Sequence, residues 1–183
     1  MSVIVSMLRG VNLGPHHRIK MDVLRELYES LGLVDVCTYV QSGNVVFRTK
    51  DPRVDRLAAR IESAIDRKFG FTSAVSLRTA PELRQVIANN PFAKCRGIDP
   101  SRLLVTFLAK EPAAEARAKL STINADPEEI HLIGRELYIY YPNGLARPKV
   151  PWIRLEKMLE AGGTARNWNT VTKLLGMAEE LEQ

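Results

Sequence analysis

The apolar pattern of the first eighty residues changes in the order strand, helix, strand, strand, helix, strand, and that order limits the possible folds more than any other feature of the chain. Val3–Leu8 is a short apolar run suited to a strand buried on both faces. After a polar loop, Met21, Leu24, Leu27, Tyr28 and Leu31 recur at helical spacing, with Gly32 as a natural stop. Val34–Val40 and Val45–Thr49 are rich in β-branched and aromatic residues, and the polar tetrad Gln41-Ser42-Gly43-Asn44 between them reads as a hairpin turn. Asp51-Pro52 then offers a cap and a first-turn proline to a second helix carrying Val54, Leu57, Ala58, Ile61, Ile65 and Phe69, ended by Gly70. Ser73–Arg78 alternates as a further strand. Residues 1–79 therefore spell β-α-β-β-α-β, the order of a ferredoxin-like unit.

Beyond it, Thr79-Ala80-Pro81-Glu82 has capping-box spacing and opens a short helix with Leu83, Val86 and Ile87, which should stop near Asn89-Asn90-Pro91. Residues 80–100 are thus a helix and connecting loop. Arg102–Leu108, Pro112–Leu120, the pair Ile130–Ile133 and Glu136–Tyr141 about the turn Gly134-Arg135, Trp152–Leu159 and a short strand near Thr164 repeat the same element order. The predicted architecture is α+β, with two ferredoxin-like halves, 1–79 and 101–183. A C-terminal helix built on Val171, Leu174, Leu175, Ala178 and Leu181 closes the second, capped by Asn167 or Asn169.

The composition fits a self-folding chain: apolar residues make up 45% and charged residues 26%, away from the signature of disorder. The amino terminus has no basic leader and its apolar run is too short for a signal peptide, so the expected location is cytoplasmic. No segment approaches the length of a membrane span. Cys37 and Cys95 are then expected as free thiols, behaving as half-buried small hydrophobes. The net charge of +5 is uneven, residues 147–173 carrying six basic against two acidic side chains. Such a field suits phosphate or nucleic acid, and equally a merely solvated surface.

Three polar segments carry more chemistry than packing requires. The loop Arg9–Ile19 is about twice as long as a usual strand-to-helix connection, and its glycines and the following helix follow phosphate-loop logic. It lacks the lysine and hydroxyl of a nucleotide-triphosphate loop and the three-glycine dinucleotide pattern. In a β-α-β-β-α-β unit the first two strands run the same way, so this loop and the turn Gln41–Asn44 should meet at one end of the sheet. Arg9, Asn12, Lys20, Gln41, Ser42 and Asn44 then supply cationic, amide and hydroxyl groups for a phosphate, carboxylate or base edge. The alternative is that the asparagines bond loop backbone and hold the two turns together. The third segment, Gly162–Thr170, sets Arg166, Asn167 and Trp168 in a basic stretch, where Trp168 serves either as a stacking platform or as packing beside capping asparagines. No metal site is expected, since His16 and His17 are adjacent and His131 stands in a strand, with no further ligands at zinc spacing. No cofactor is implied, and a His16 or His17 base acting on Ser42 has no support from spacing.

The runs Leu8–Gly14, Ile19-Lys20-Met21, Tyr39–Phe47 and Thr164–Thr170 together resemble the bacterial family known as domain of unknown function 1697. The resemblance implies an α+β architecture with ferredoxin-like halves and supplies no reaction. It departs from the family pattern at Gly14-Pro15-His16-His17, which argues against a role for either histidine. Three functional readings follow. The first is a binding protein for an anionic ligand, a nucleotide or single-stranded nucleic acid. The second is an enzyme on a small phosphorylated or carboxylated substrate. The third is an assembly module whose polar motifs lock the structure without any ligand.

Overall fold

The computed structural model describes every residue of the chain except Pro52. Its elements follow the sequence pattern closely: β1 (Ser2–Leu8), α1 (Met21–Ser30), β2 (Val34–Tyr39), β3 (Asn44–Thr49), α2 (Val54–Phe69), β4 (Val75–Thr79) and α3 (Ala80–Ala88). After a short 3-10 turn at Pro100–Arg102 come β5 (Leu103–Leu108), α4 (Ala114–Leu120), β6 (Glu129–Ile133), β7 (Glu136–Tyr140), α5 (Trp152–Leu159), β8 (Gly163–Asn167) and α6 (Trp168–Glu182). The strands form two four-stranded antiparallel sheets ordered β2-β3-β1-β4 and β6-β7-β5-β8. Both orders are those of a ferredoxin-like unit, so the chain is α+β with the same fold built twice.

The chain divides into two compact units, Met1–Gln85 with Thr172–Gln183, and Val86–Val171. In the first, Ile4 and Leu8 of β1, Val45 and Phe47 of β3 and Leu77 of β4 pack against Leu24 and Tyr28 of α1 and Leu57, Ile61 and Ile65 of α2. The helical stripes read from the sequence are the ones buried. The end of α6 belongs to this unit, where Arg84 of α3 bonds the carboxylates of Glu179 and Glu182. In the second unit Leu104, Leu108, Leu137 and Ile139 of the sheet pack against Leu155 and Leu159 of α5.

Local chemistry explains the element ends. The capping box ahead of α3 forms in both directions, Thr79 N–H donating to Glu82 Oε2 at 2.8 Å and Glu82 N–H to Thr79 Oγ1 at 3.2 Å. Asn167 caps α6 by accepting from Thr170 N–H at 2.9 Å. Two local expectations need correction. Asp51 is not the cap of α2: its Oδ1 accepts from Arg53 N–H ahead of the helix, Arg53 holds the cap position, and the first-turn proline at Pro52 lies outside the described residues. Cys37 and Cys95 are free thiols, but both are exposed rather than half-buried. Val36 takes the buried position on β2, and its neighbour Cys37, next along the strand after an irregularity in the pairing with β3 between Val34 and Cys37, faces away from the core. Among the described residues, no helix is long and apolar enough to cross a membrane.

The two units repeat one another down to register. Val5 lies opposite Arg78 across β1 and β4, and Val105 lies opposite Arg166 across β5 and β8. One step along, Ser6 and Thr106 occupy matching buried positions. They are satisfied differently. The Ser6 hydroxyl shares a 2.8 Å bond with the Tyr28 hydroxyl, whose pKa burial pushes well above the ordinary phenol range. Thr106 Oγ1 is buried with no partner among the described residues. An unsatisfied buried hydroxyl costs on the order of 1–3 kcal/mol. Ser6→Ala, which orphans the Tyr28 hydroxyl, should therefore lower unfolding free energy by about 1–3 kcal/mol, whereas Thr106→Val should raise it by about 1 kcal/mol. Urea denaturation of the two variants checks the opposite signs.

Candidate functional site

β1 and β2 run the same way, and the loop leaving β1 meets the turn leaving β2. Leu8 N–H donates to Gly43 O at 2.9 Å, Arg9 N–H donates to Ala74 O at 2.9 Å, and Ser73 Oγ donates to Arg9 O at 2.8 Å. Arg9 is thus fixed by its backbone, with its side chain half-buried.

Asn12 joins the two segments. Its carboxamide donates to Gln41 O at 2.6 Å and to Ile19 O at 2.9 Å, while its Oδ1 accepts from Ile19 N–H at 2.9 Å. One side chain therefore closes the loop on itself and ties it to the turn. Asn12 N–H adds a bond to His17 O at 3.0 Å. The turn has its own clamp. Asn44, fully buried, donates to Tyr39 O at 3.0 Å and to Ser42 Oγ at 2.8 Å.

Much of this rim is built from left-handed backbone. Gly10, Asn12, His17, Val40 and Gly43 all have positive φ, between +48° and +73°. Asn tolerates that region and here receives three side-chain hydrogen bonds for it. His17 is stacked on Phe71 with ring centroids 4.4 Å apart. Gly43 is required twice over, because a Cβ there would lie 2.7 Å from Val11 Cγ2 and 2.8 Å from Leu8 Cβ. Val40, at +48°, is the outlier: a β-branched residue pays roughly 1–2 kcal/mol for this conformation.

Beside the rim opens a groove of about 640 Å³ lined by Asn12, Arg18, Ile19, Lys20, Met21, Asp22 and Gln41. Lys20 and Gln41 are exposed, and so is Arg18, whose Nε donates to Gly14 O at 3.2 Å. The floor is the start of α1, whose cap residue is Lys20 and whose first turn receives no side-chain cap from it. The one carboxylate in the wall, Asp22, accepts from Val23 N–H at 2.9 Å. The arrangement offers two cations, a carboxamide and helical N–H groups to an anion.

Apart from Arg9, which does not line the groove, the residues singled out in the sequence fall into three groups. Lys20 and Gln41 face the groove. Asn12, Ser42 and Asn44 are spent in holding the loops. Arg166, Asn167 and Trp168 belong to the other compact unit. There Arg166 is buried, with Nη1 donating to Ala165 O at 2.8 Å and burial pulling its pKa down to about 10. Asn167 is the α6 cap, and Trp168 is the half-buried first residue of that helix. Sequence reading missed Arg18 and Asp22 as groove residues, although both flank Lys20. Among the described residues, no group of three or more His, Cys, Asp or Glu side chains could hold a metal ion.

The second unit repeats the framework without the site. Leu108 N–H donates to Arg135 O at 2.9 Å and Ala109 N–H to Gly162 O at 2.7 Å, matching the bonds of Leu8 and Arg9. Yet β5 reaches α4 through Ala109–Ala113 alone, where β1 reaches α1 through the far longer Arg9–Lys20. The long loop is therefore not a demand of the fold.

Fold and rim together define an α+β protein of two ferredoxin-like units with a polar loop cluster at one end of the first sheet. The model of the family described as protein of unknown function (DUF1697) matches residues 1–138, and the chain belongs to that family. The match takes in the whole rim and ends ahead of the segment Thr164–Thr170. The chain is also similar in structure to a conserved bacterial protein of Streptococcus pneumoniae, with 21% identity over 97% of this chain and 98% of that one and a TM-score of 0.76. Among curated proteins, none matches this chain.

If Asn12 is the pin of the rim, Asn12→Ala should lower stability by about 2–3 kcal/mol, leaving Ile19 N–H and two carbonyls unmet and an alanine at positive φ. Amide exchange should accelerate across residues 10–20 and 40–43 and stay unchanged in α2. Exchange confined to the loop, with the turn still protected, would show that Asn12 does not couple the two.

Proposed function

We propose that the protein binds an anionic ligand, a nucleotide or a single-stranded nucleic acid, in the groove between the Arg9–Lys20 loop and the Gln41 turn. The observation that carries this reading is the convergence of Arg18, Lys20 and Gln41 on an open groove whose lining takes in the first residues of α1, a helix start that its cap residue Lys20 leaves without a side-chain cap. A phosphate there would meet two cations and helical N–H groups. The absence of any counterpart loop at the matching end of the second sheet supports it, since packing alone is met there by a short connection. The reading also narrows the set of ligand-facing residues. Asn12, Ser42, Asn44 and Asn167 act as holders of loop and helix ends, and the contacts to ligand come from Arg18, Lys20 and Gln41.

Fluorescence anisotropy with a short single-stranded oligonucleotide and thermal shift with adenosine monophosphate test it directly. Oligonucleotide binding should be measurable at low salt and weaken steeply between roughly 50 and 200 mM, as counterions are released. Lys20→Ala should weaken binding uniformly across sequences and reduce the salt slope by about 1. A bound mononucleotide should raise the melting temperature by mass action. No binding of either probe at low salt would overturn the reading.

A further inference from the structure

The two sheets end differently at corresponding edges. β2, the outer strand of the first sheet, is blunted: its pairing with β3 shifts between Val34 and Cys37, Asp35 sits at φ +52°, and Arg48 of β3 holds the Asp35 carboxylate. A bulge and a charge of this kind keep a free edge from pairing with another chain. β6, the outer strand of the second sheet, has no such bulge. It pairs with β7 through five consecutive residues without a shift, from Glu129 opposite Tyr140 to Ile133 opposite Glu136, and contains neither proline nor glycine. Among the described residues its backbone bonds only β7, so its outward N–H and C=O groups form a regular, open ladder. The topology is the same in both sheets, and the first shows that the fold does not need a bare edge here.

The side chains say what kind of strand fits there. Ile130 and Leu132 lie half-buried at the margin of the core, while Glu129, His131 and Ile133 alternate with them and are exposed, Ile133 to 36%. An added strand completes the cover of Ile130 and Leu132 when it brings apolar residues to the same two levels on the same face. β6 itself does so. Ile130 and Leu132 are placed symmetrically about His131, so a two-fold axis at His131 sets Ile130 of each copy opposite Leu132 of the other, the self-complementarity that a two-fold contact demands. On the other face Glu129 comes opposite Ile133 and diagonally beside His131 of the second copy. Antiparallel pairing also keeps the exposed acids of the two lead-ins, Asp126 and Glu129, at opposite ends of the contact. We propose that β6 is an interface for a second copy of this chain, the two β6 strands pairing antiparallel about His131 and joining the two β6-β7-β5-β8 sheets into one.

Sedimentation velocity of the full chain from about 1 μM to 1 mM tests it, since a contact made by short strands is expected to be weak. The wild type should pass from monomer to dimer within that range. Ile133→Glu, which sets a carboxylate opposite Glu129 on both sides of the axis, should weaken the dimer about tenfold or more, and Ile133→Lys, which sets an ammonium there, should leave it as tight or tighter. His131→Lys and His131→Glu form a second pair. Each places like charges face to face at the axis and should be monomeric alone, while an equimolar mixture of the two should recover the dimer. That recovery requires His131 to lie opposite His131, so a foreign peptide docked on the same edge would not produce it. Should an Ile133 variant fail to fold, the His131 pair decides. A wild type that stays monomeric throughout, a dimer indifferent to the sign of the charge at position 133, or a mixture that does not recover would overturn the proposal.

Discussion

The Asn12 carboxamide is the interaction on which the candidate site depends. It is one side chain that satisfies a donor and an acceptor of Ile19 within its own loop and a carbonyl of Gln41 in another. Without that bridge the Arg9–Lys20 loop would be a long exposed connection with few buried contacts, the kind of segment that opens readily. With it, Lys20 and Arg18 are held at one side of the groove and Gln41 at the other.

Two copies of one topology make the division of labour legible. Both units close the end of the central strand with paired backbone bonds, and both bury an arginine at the same register of the last strand. Where they differ, the difference is chemical. The first unit pairs the hydroxyl of its central strand with Tyr28 and carries the long loop. The second leaves the hydroxyl of Thr106 without a partner among the described residues and reaches its helix directly. A feature present in one copy and absent from the other cannot be a requirement of the shared fold, and this is the physical reason to look for function in the first unit.

The polar residues of the three motifs turned out to do unlike jobs. An asparagine can be a ligand contact or a substitute for backbone, and which it becomes depends on whether backbone carbonyls or N–H groups lie within about 3 Å of it. Asn44 and Asn167 found backbone partners and act as a turn clamp and a helix cap. Lys20 and Gln41 remained on the surface of an open groove. The tryptophan and arginine of the late segment lie in the other unit, at the end of an edge strand and the first turn of a helix.

The element order, the helical stripes, the capping box at Thr79 and Glu82 and the meeting of the first loop with the Gln41 turn were all written in the sequence. Each depends on local periodicity or on the parity of strand directions, and these survive without knowledge of distance. The burial of Arg166, the exposure of Cys37, the left-handed backbone of Val40 and the enlistment of Asn12 as a bridge were not. They depend on which groups from distant parts of the chain come within hydrogen-bonding or packing range, and residue type alone does not encode that. The sequence by itself determined a duplicated ferredoxin-like framework with a polar rim. Only the tertiary structure decided which rim residues hold the loops and which face the groove, because a hydrogen bond is spent where its partner lies in space.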